Sequence, residues 1–194
     1  NIGYFALLEA REINKGIVYA IEPDRHNFSM LCHNVKINNL NNIKMYNIAI
    51  SDREGSIKFY ITERSNRHSI HKYNHIKNVK TIKVKTTTID NFCKNKEINF
   101  IRMDIEGGEK EALDGAHETL KRKNLKLFIE FHPELLKLRG VSAFDLLKKL
   151  ESSYGFNLLL IVQKEINKIY KYSSVEDAMT NPTLEYPFHA FFEK

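Results

Sequence analysis

Two hydrophobic periods alternate along this chain. Residues 2–13 carry Phe5 and Leu8 at helical spacing, with Gly16 as a stop signal. Residues 17–21 are a short continuous apolar run ending at Glu22-Pro23-Asp24, the pattern of a buried parallel strand. Asp24 is placed to cap a helix reaching about Leu40, with Phe28, Leu31, Cys32 and Val35 as its apolar stripe. An Asn-rich turn precedes a strand over 43–50. Residues 56–61 then alternate, with Ile57, Phe59 and Ile61 on one face.

Residues 62–80 break this rhythm. They are polar, include Arg64, Arg67, His68, His71, Lys72 and His75, and are followed by a second alternating strand over 81–87. Strand, polar excursion and strand predict a long hairpin with its tip at 62–80. Thr88 caps a short helix, and residues 98–104 form a buried strand. Residues 106–123 predict a helix with Ala112, Leu113, Ala116 and Leu120 inward, and 125–131 a further buried strand. Ser142 and Asp145 open a helix that Gly155 ends, and strands follow at 156–162 and 186–192. The order predicts a single α/β domain over 1–194, with a mostly parallel sheet and helices on both faces.

Composition adds few constraints. Hydrophobic residues make up 42% and charged residues 28%, the balance of an ordinary globular domain. The net charge of +6 comes from lysines scattered along the chain, which predicts a solvated surface rather than a nucleic-acid or membrane contact. Cys32 and Cys93 lie far apart in helical contexts and suggest neither a disulfide nor a zinc site, in keeping with a reducing compartment. Residue 1 is Asn, and residues 1–8 have neither the basic start nor the cleavage site of a signal peptide. The expectation is an N-terminally truncated, cytoplasmic chain.

In an open α/β sheet, ligands bind beyond the carboxyl ends of the strands. Glu22 stands at such an end, and an acid there can accept hydrogen bonds from both ribose hydroxyls of a nucleotide cofactor, a device common to NAD and S-adenosylmethionine sites. Asn1-Ile2-Gly3 opens the first helix directly and reads as the end of a glycine turn close to a ligand. Asp104-Ile105-Glu106-Gly107-Gly108-Glu109 is an acidic strand-to-helix turn. There the helix dipole accounts for Glu109 but not for Asp104. Glu130 and His132 share one strand face before Pro133 and form a candidate acid/base pair. Asp104, Glu106 and Glu130 are divalent-metal ligands by type, but no metal site is assigned from them.

The ordered set Asn1-Ile2-Gly3-Tyr4-Phe5, Val18 through Asp24, Asn38-Asn39-Leu40, Ala49-Ile50-Ser51-Asp52, Gly55, Thr88-Ile89-Asp90, Ile101 through Glu109 and Ile129 through Pro133 resembles the FkbM-type methyltransferases. The resemblance covers about residues 1–133 with specific motifs and the remainder in pattern only. It implies a Rossmann-like class I methyltransferase sheet with an antiparallel last strand, and S-adenosylmethionine as cofactor. Only the Asn-Ile-Gly end of the family's first cofactor motif is present, so the first strand is expected to be missing from this chain. By position, Asn1 and Gly3 belong to the methionine-side turn, Glu22 to the ribose contact, and Ala49 and Ser51 to the neighbourhood of the adenine. Asp104, Glu106, Glu130 and His132 surround the methyl group or the acceptor.

The reaction implied is O-methylation of a hydroxyl on a sugar or natural-product acceptor, a small molecule or glycan. Asp104, His132 and Glu130 are the expected catalytic residues, with Asp104 and His132 as candidate bases. Two other readings stand beside it: a non-catalytic nucleotide-binding or interaction domain, and an NAD-dependent oxidoreductase, which Glu22 suits equally.

Overall fold

A computed structural model describes residues 1–13, 15–63, 67–73, 79–163 and 167–194, without the side chains of residues 182 and 183. Arg64 and His75 of the expected hairpin tip lie outside the described residues. Two compact units make up the chain, Asn1–Thr87 and Thr88–Lys194.

In the first unit, α1 (Tyr4–Glu12) leads to β1 (Val18–Ile21), α2 (Arg25–Ile37) and β2 (Ile43–Tyr46). The β1–α2–β2 crossover pairs its strands in parallel, from Val18 opposite Ile43 to Ile21 opposite Tyr46. Asp24 caps α2 as expected, accepting from the Asn27 N–H at 2.8 Å. Ala10, Ala20, Leu31, Val35 and Ile43 form the core between these elements. Gly3 opens α1 with φ +94°. A Cβ there would meet Leu31 Cδ1 at 2.5 Å and Leu7 Cδ1 at 2.9 Å, so helix packing as well as backbone sign demands glycine.

The expected 43–50 strand is two pieces. After Tyr46 the chain leaves β2, and Asn47 donates its side-chain amide to the carbonyls of Glu22 and Pro23, at 2.9 and 3.0 Å. The chain then enters β3 (Ala49–Ile50), in a second sheet with β4 (Gly55–Ile61) and β5 (Lys80–Thr87). A side chain that satisfies two carbonyls interrupts the ladder, which hydrophobic periodicity does not reveal. β4 and β5 pair antiparallel from Gly55–Thr86 to Ile61–Lys80. Within the connection, Ser69 bridges back to Tyr60, and Ile70 and Tyr73 are buried.

The second unit contains α3 (Ile89–Cys93), β6 (Phe100–Met103), α4 (Glu109–Asp114), β7 (Lys126–Phe131), α5 (Pro133–Lys137), α6 (Ala143–Tyr154), β8 (Asn157–Gln163), β9 (Lys168–Lys171), α7 (Val175–Ala178) and β10 (Phe188–Glu193). Its sheet order is β6-β7-β10-β8-β9. β6 and β7, joined through α4, are parallel. The last strand, β10, is antiparallel to both β7 and β8. Antiparallel pairing also joins β8 to β9, an exposed edge strand with no counterpart in the expected order. The expected 106–123 helix starts only at Glu109, stops at Asp114 and resumes as a 3-10 turn at Thr119–Lys121. Asp90 accepts the N–H groups of Glu118 and Thr119 at 2.9 and 2.7 Å, capping that turn from α3.

Strand alternation gives this sheet two different faces. Leu127, Ile129 and Phe131 of β7 lie opposite Phe192, Ala190 and Phe188 of β10, and all six are fully buried or nearly so. The other face carries Arg102 of β6, Phe128 and Glu130 of β7, and His189 and Phe191 of β10. Among the described residues no helix is long and apolar enough to cross a membrane.

Candidate functional site

Glu22 leaves the end of β1 with its side chain almost fully buried. Its Oε1 accepts the Asp24 N–H at 2.7 Å. This bond fixes the carboxylate over the start of α2. A carboxylate offers about four lone-pair directions, so each oxygen keeps capacity for one more donor. Ala49 and Ser51 are buried in and just after β3 of the same unit. The Ser51 Oγ lies 3.1 Å from Asp52 Oδ1 and its N–H donates to the Thr87 carbonyl at 3.0 Å. Ser51 therefore braces its own strand end.

The ends of β6 and β7 in the second unit gather most of the remaining candidates. Asp104 and Glu106 follow β6, and His132 follows β7 as the N-cap of α5, with Pro133 at the first helical position. One ligand atom from each of Asp104, Glu106 and His132 lies within 4.8 Å of the others. Glu106 has φ +49°, a left-handed conformation uncommon for a residue with a Cβ, and Gly107 follows at φ +86°. Arg139 holds this turn from outside, donating to the Gly107 carbonyl at 2.7 Å and pairing with Glu111.

His132 is buried between carboxylates. Its Nδ1 lies 2.8 Å from Glu109 Oε1 and its Nε2 lies 3.6 Å from Glu106 Oε2. Glu109 Oε1 also accepts the Gly107 N–H at 3.0 Å. Burial disfavours the imidazolium, but the Glu109 hydrogen bond and the charges of Glu109, Glu106 and Asp104 outweigh it and raise the His132 pKa to about 9. At Glu106, burial is the largest influence. With the neighbouring charges of Asp104, Glu130 and Glu109, and against the attraction of His132, it raises the carboxyl to about 7.

Glu130 was expected to share a strand face with His132, but β7 ends at Phe131 and Glu130 lies beside His189 of β10. His189 Nε2 lies 2.9 Å from Glu130 Oε2, a charge contact without the alignment of a hydrogen bond. The His189 ring stacks on Phe128 at 5.0 Å. Sequence reasoning missed two members of this cluster. Glu109 suits the helix dipole by position, yet it is fully buried and orients His132. His189 sits in an apolar strand whose register with Glu130 has no local signature.

Comparison with known proteins identifies the family and the fold. Residues 1–158 match the family model described as the methyltransferase FkbM domain, a match that runs through both compact units. A curated relative, 2-O-methyltransferase NoeI of Sinorhizobium fredii (strain NBRC 101917 / NGR234), is 24% identical over 159 residues. That alignment takes in 71% of this chain, which spans 63% of the relative's length. Among solved structures, methyltransferase FkbM from Methylobacillus flagellatus KT superposes with a TM-score of 0.54 at 17% identity. It covers 91% of this chain and 36% of that one. A precorrin-6y C5,15-methyltransferase from Geobacter metallireducens GS-15 gives a TM-score of 0.50 at 9% identity, over 100% of this chain and 74% of that one. At these identities the two structures establish a shared Rossmann-like methyltransferase fold.

Proposed function

This chain belongs to the FkbM methyltransferase family, and from that premise we propose that it transfers a methyl group from S-adenosylmethionine to a hydroxyl oxygen of a sugar or natural-product acceptor. The observation that carries the proposal is the convergence of Asp104, Glu106 and His132 at the carboxyl ends of parallel strands β6 and β7. The 2-O-methyltransferase relative supports the choice of oxygen as the methylated atom.

S-adenosylmethionine supplies a methyl group on a sulfonium, so the chain needs no nucleophile of its own. Glu22 would hold the ribose through the free capacity of its two carboxylate oxygens. The Asn1–Gly3 turn would present backbone to the methionine end, and the β3 end at Ala49 and Ser51 would border the adenine. An alcohol attacks poorly while it keeps its proton, so a group within hydrogen-bond reach must take that proton as the oxygen attacks. Asp104 and Glu106 are the carboxylates gathered for this task, and His132, oriented by Glu109 and protonated near neutral pH, holds Glu106 beside them. Glu130 and His189 form the adjoining polar wall. In-line placement of acceptor and donor supplies much of the remaining acceleration.

The test is transfer of an isotopically labelled methyl group to a panel of sugars and hydroxylated natural products, with the methylated atom located by NMR. Label on an acceptor oxygen supports the proposal. Label on nitrogen or carbon, or transfer to no acceptor by a protein that binds the cofactor, overturns it.

A further inference from the structure

Glu109 fixes His132 from one side of the ring and leaves the other side facing acids. The Nδ1 contact with Glu109 Oε1 is 2.8 Å long. The Nε2 atom points toward Glu106 Oε2, 3.6 Å away, and makes no hydrogen bond among the described residues. His132 itself is only 5% exposed. We propose that Asp104, Glu106 and His132 Nε2 form a binding site for a divalent first-row metal ion such as Mn2+.

The ligand chemistry fits. One imidazole nitrogen with two carboxylates suits a first-row divalent ion better than calcium, which prefers an all-oxygen shell. The three ligand atoms, within 4.8 Å of one another, can share one central ion. The residues come from two adjacent strand ends, and Pro133 and the Arg139 contacts restrain the backbone that carries them.

Two observations beyond the carboxylate cluster point to a cation. The first is the His132 ring: a buried imidazole whose Nδ1 is held by a carboxylate, and whose Nε2 faces Glu106 at 3.6 Å, is oriented as metal-ligating histidines are. The second is Glu109, which is fully buried and whose Oε2 has no hydrogen-bond partner. The charges of Asp104, Glu130 and Glu109 all act on Glu106, and a cation among them would relieve that repulsion. An ion would replace the proton that otherwise joins His132 to Glu106. Glu130, which pairs with His189, lies outside this ligand set.

The inference deepens the methyl-transfer reading, because an ion here would bind and acidify the acceptor hydroxyl. Its test needs neither cofactor nor acceptor. Titration of the purified protein with Mn2+, followed by the loss of the free-ion EPR signal, should show one ion per chain. Electron spin-echo spectroscopy should show a coordinated histidine nitrogen. Asp104→Asn and Glu106→Gln should each weaken binding at least tenfold at an unchanged thermal midpoint, and Glu118→Gln should not. Absence of saturable binding overturns the inference, as does binding without a histidine signal or an affinity in both variants equal to the parent's. Mn2+ bound with a histidine signal in a protein that transfers no methyl group defeats the catalytic reading alone. Undiminished transfer after chelation, with no Mn2+ bound, defeats the metal site alone.

Discussion

His132 Nδ1 and Glu109 Oε1 lie 2.8 Å apart across 23 residues of sequence, joining the end of β7 to the first turn of α4. The same carboxylate oxygen takes the Gly107 N–H, so one buried acid positions both the histidine and the acidic turn. Removing one partner of a buried charge pair typically costs roughly 3–5 kcal/mol. Glu109→Ala should therefore lower unfolding stability by about 3 kcal/mol in urea denaturation. Glu109→Gln should lose less, because the amide oxygen still accepts. Equal stability of Glu109→Ala and the parent would remove Glu109 from its positioning role.

Gly3 has two separate reasons to be glycine, a φ of +94° and the absence of room for a Cβ beside Leu31. Gly3→Ala should cost on the order of 1–3 kcal/mol through strain and overpacking. A thermal midpoint unchanged within error would contradict the packing around α1.

Asp90 has a pH signature. Burial opposes its ionisation, but the N–H groups of Glu118 and Thr119 overcome this and hold its pKa below the usual 3.8. A carboxyl depressed on folding stabilises the protein above its unfolded pKa, and loses that contribution as pH falls through the folded value. Asp90→Asn should thus be less stable at pH 7 by about 1 kcal/mol, the usual worth of a cap. The difference should shrink as pH falls below about 4. Denaturation curves at pH 7 and pH 3 would show it, and a gap that widens in acid would refute the sign.

Much of the framework is readable from local chemistry. Asp24, Thr88 and Ser142 each announce a helix, and each accepts the N–H three residues on. The apolar runs that became β1, β6 and β7 mark buried strands, and their ends locate Glu22, Asp104 and His132. The errors have tertiary causes. The 106–123 pattern has one helical period, but the 115–118 turn intervenes and Asp90 caps the 3-10 turn that follows from a distant helix. β9 is an exposed edge whose pairing partner, β8, defines it better than its own pattern does. Glu109 looks like any acid at a helix start, and only the β6–β7 register reveals His132 above it.

Arg139 tests whether the turn geometry matters to catalysis. It contacts the Gly107 carbonyl and Glu111, and its place in the proposed reaction is to hold Glu106 in position. Arg139→Ala should lower kcat about tenfold or more, since small misplacements at a reacting centre are costly. KM for S-adenosylmethionine should change little, and guanidinium added in trans should restore part of kcat. A rise in KM alone would place Arg139 in cofactor binding.

Calorimetric titration of the full-length protein with S-adenosylhomocysteine, compared with its Glu22→Ala variant, tests the account most directly. Saturable one-site binding is predicted for the parent. At least a tenfold loss is predicted for a variant that still folds, because a charged hydrogen-bond partner is worth roughly 1.5–3 kcal/mol. No binding by the parent, or the same affinity in both, would contradict a cofactor held by the buried acid at the end of β1.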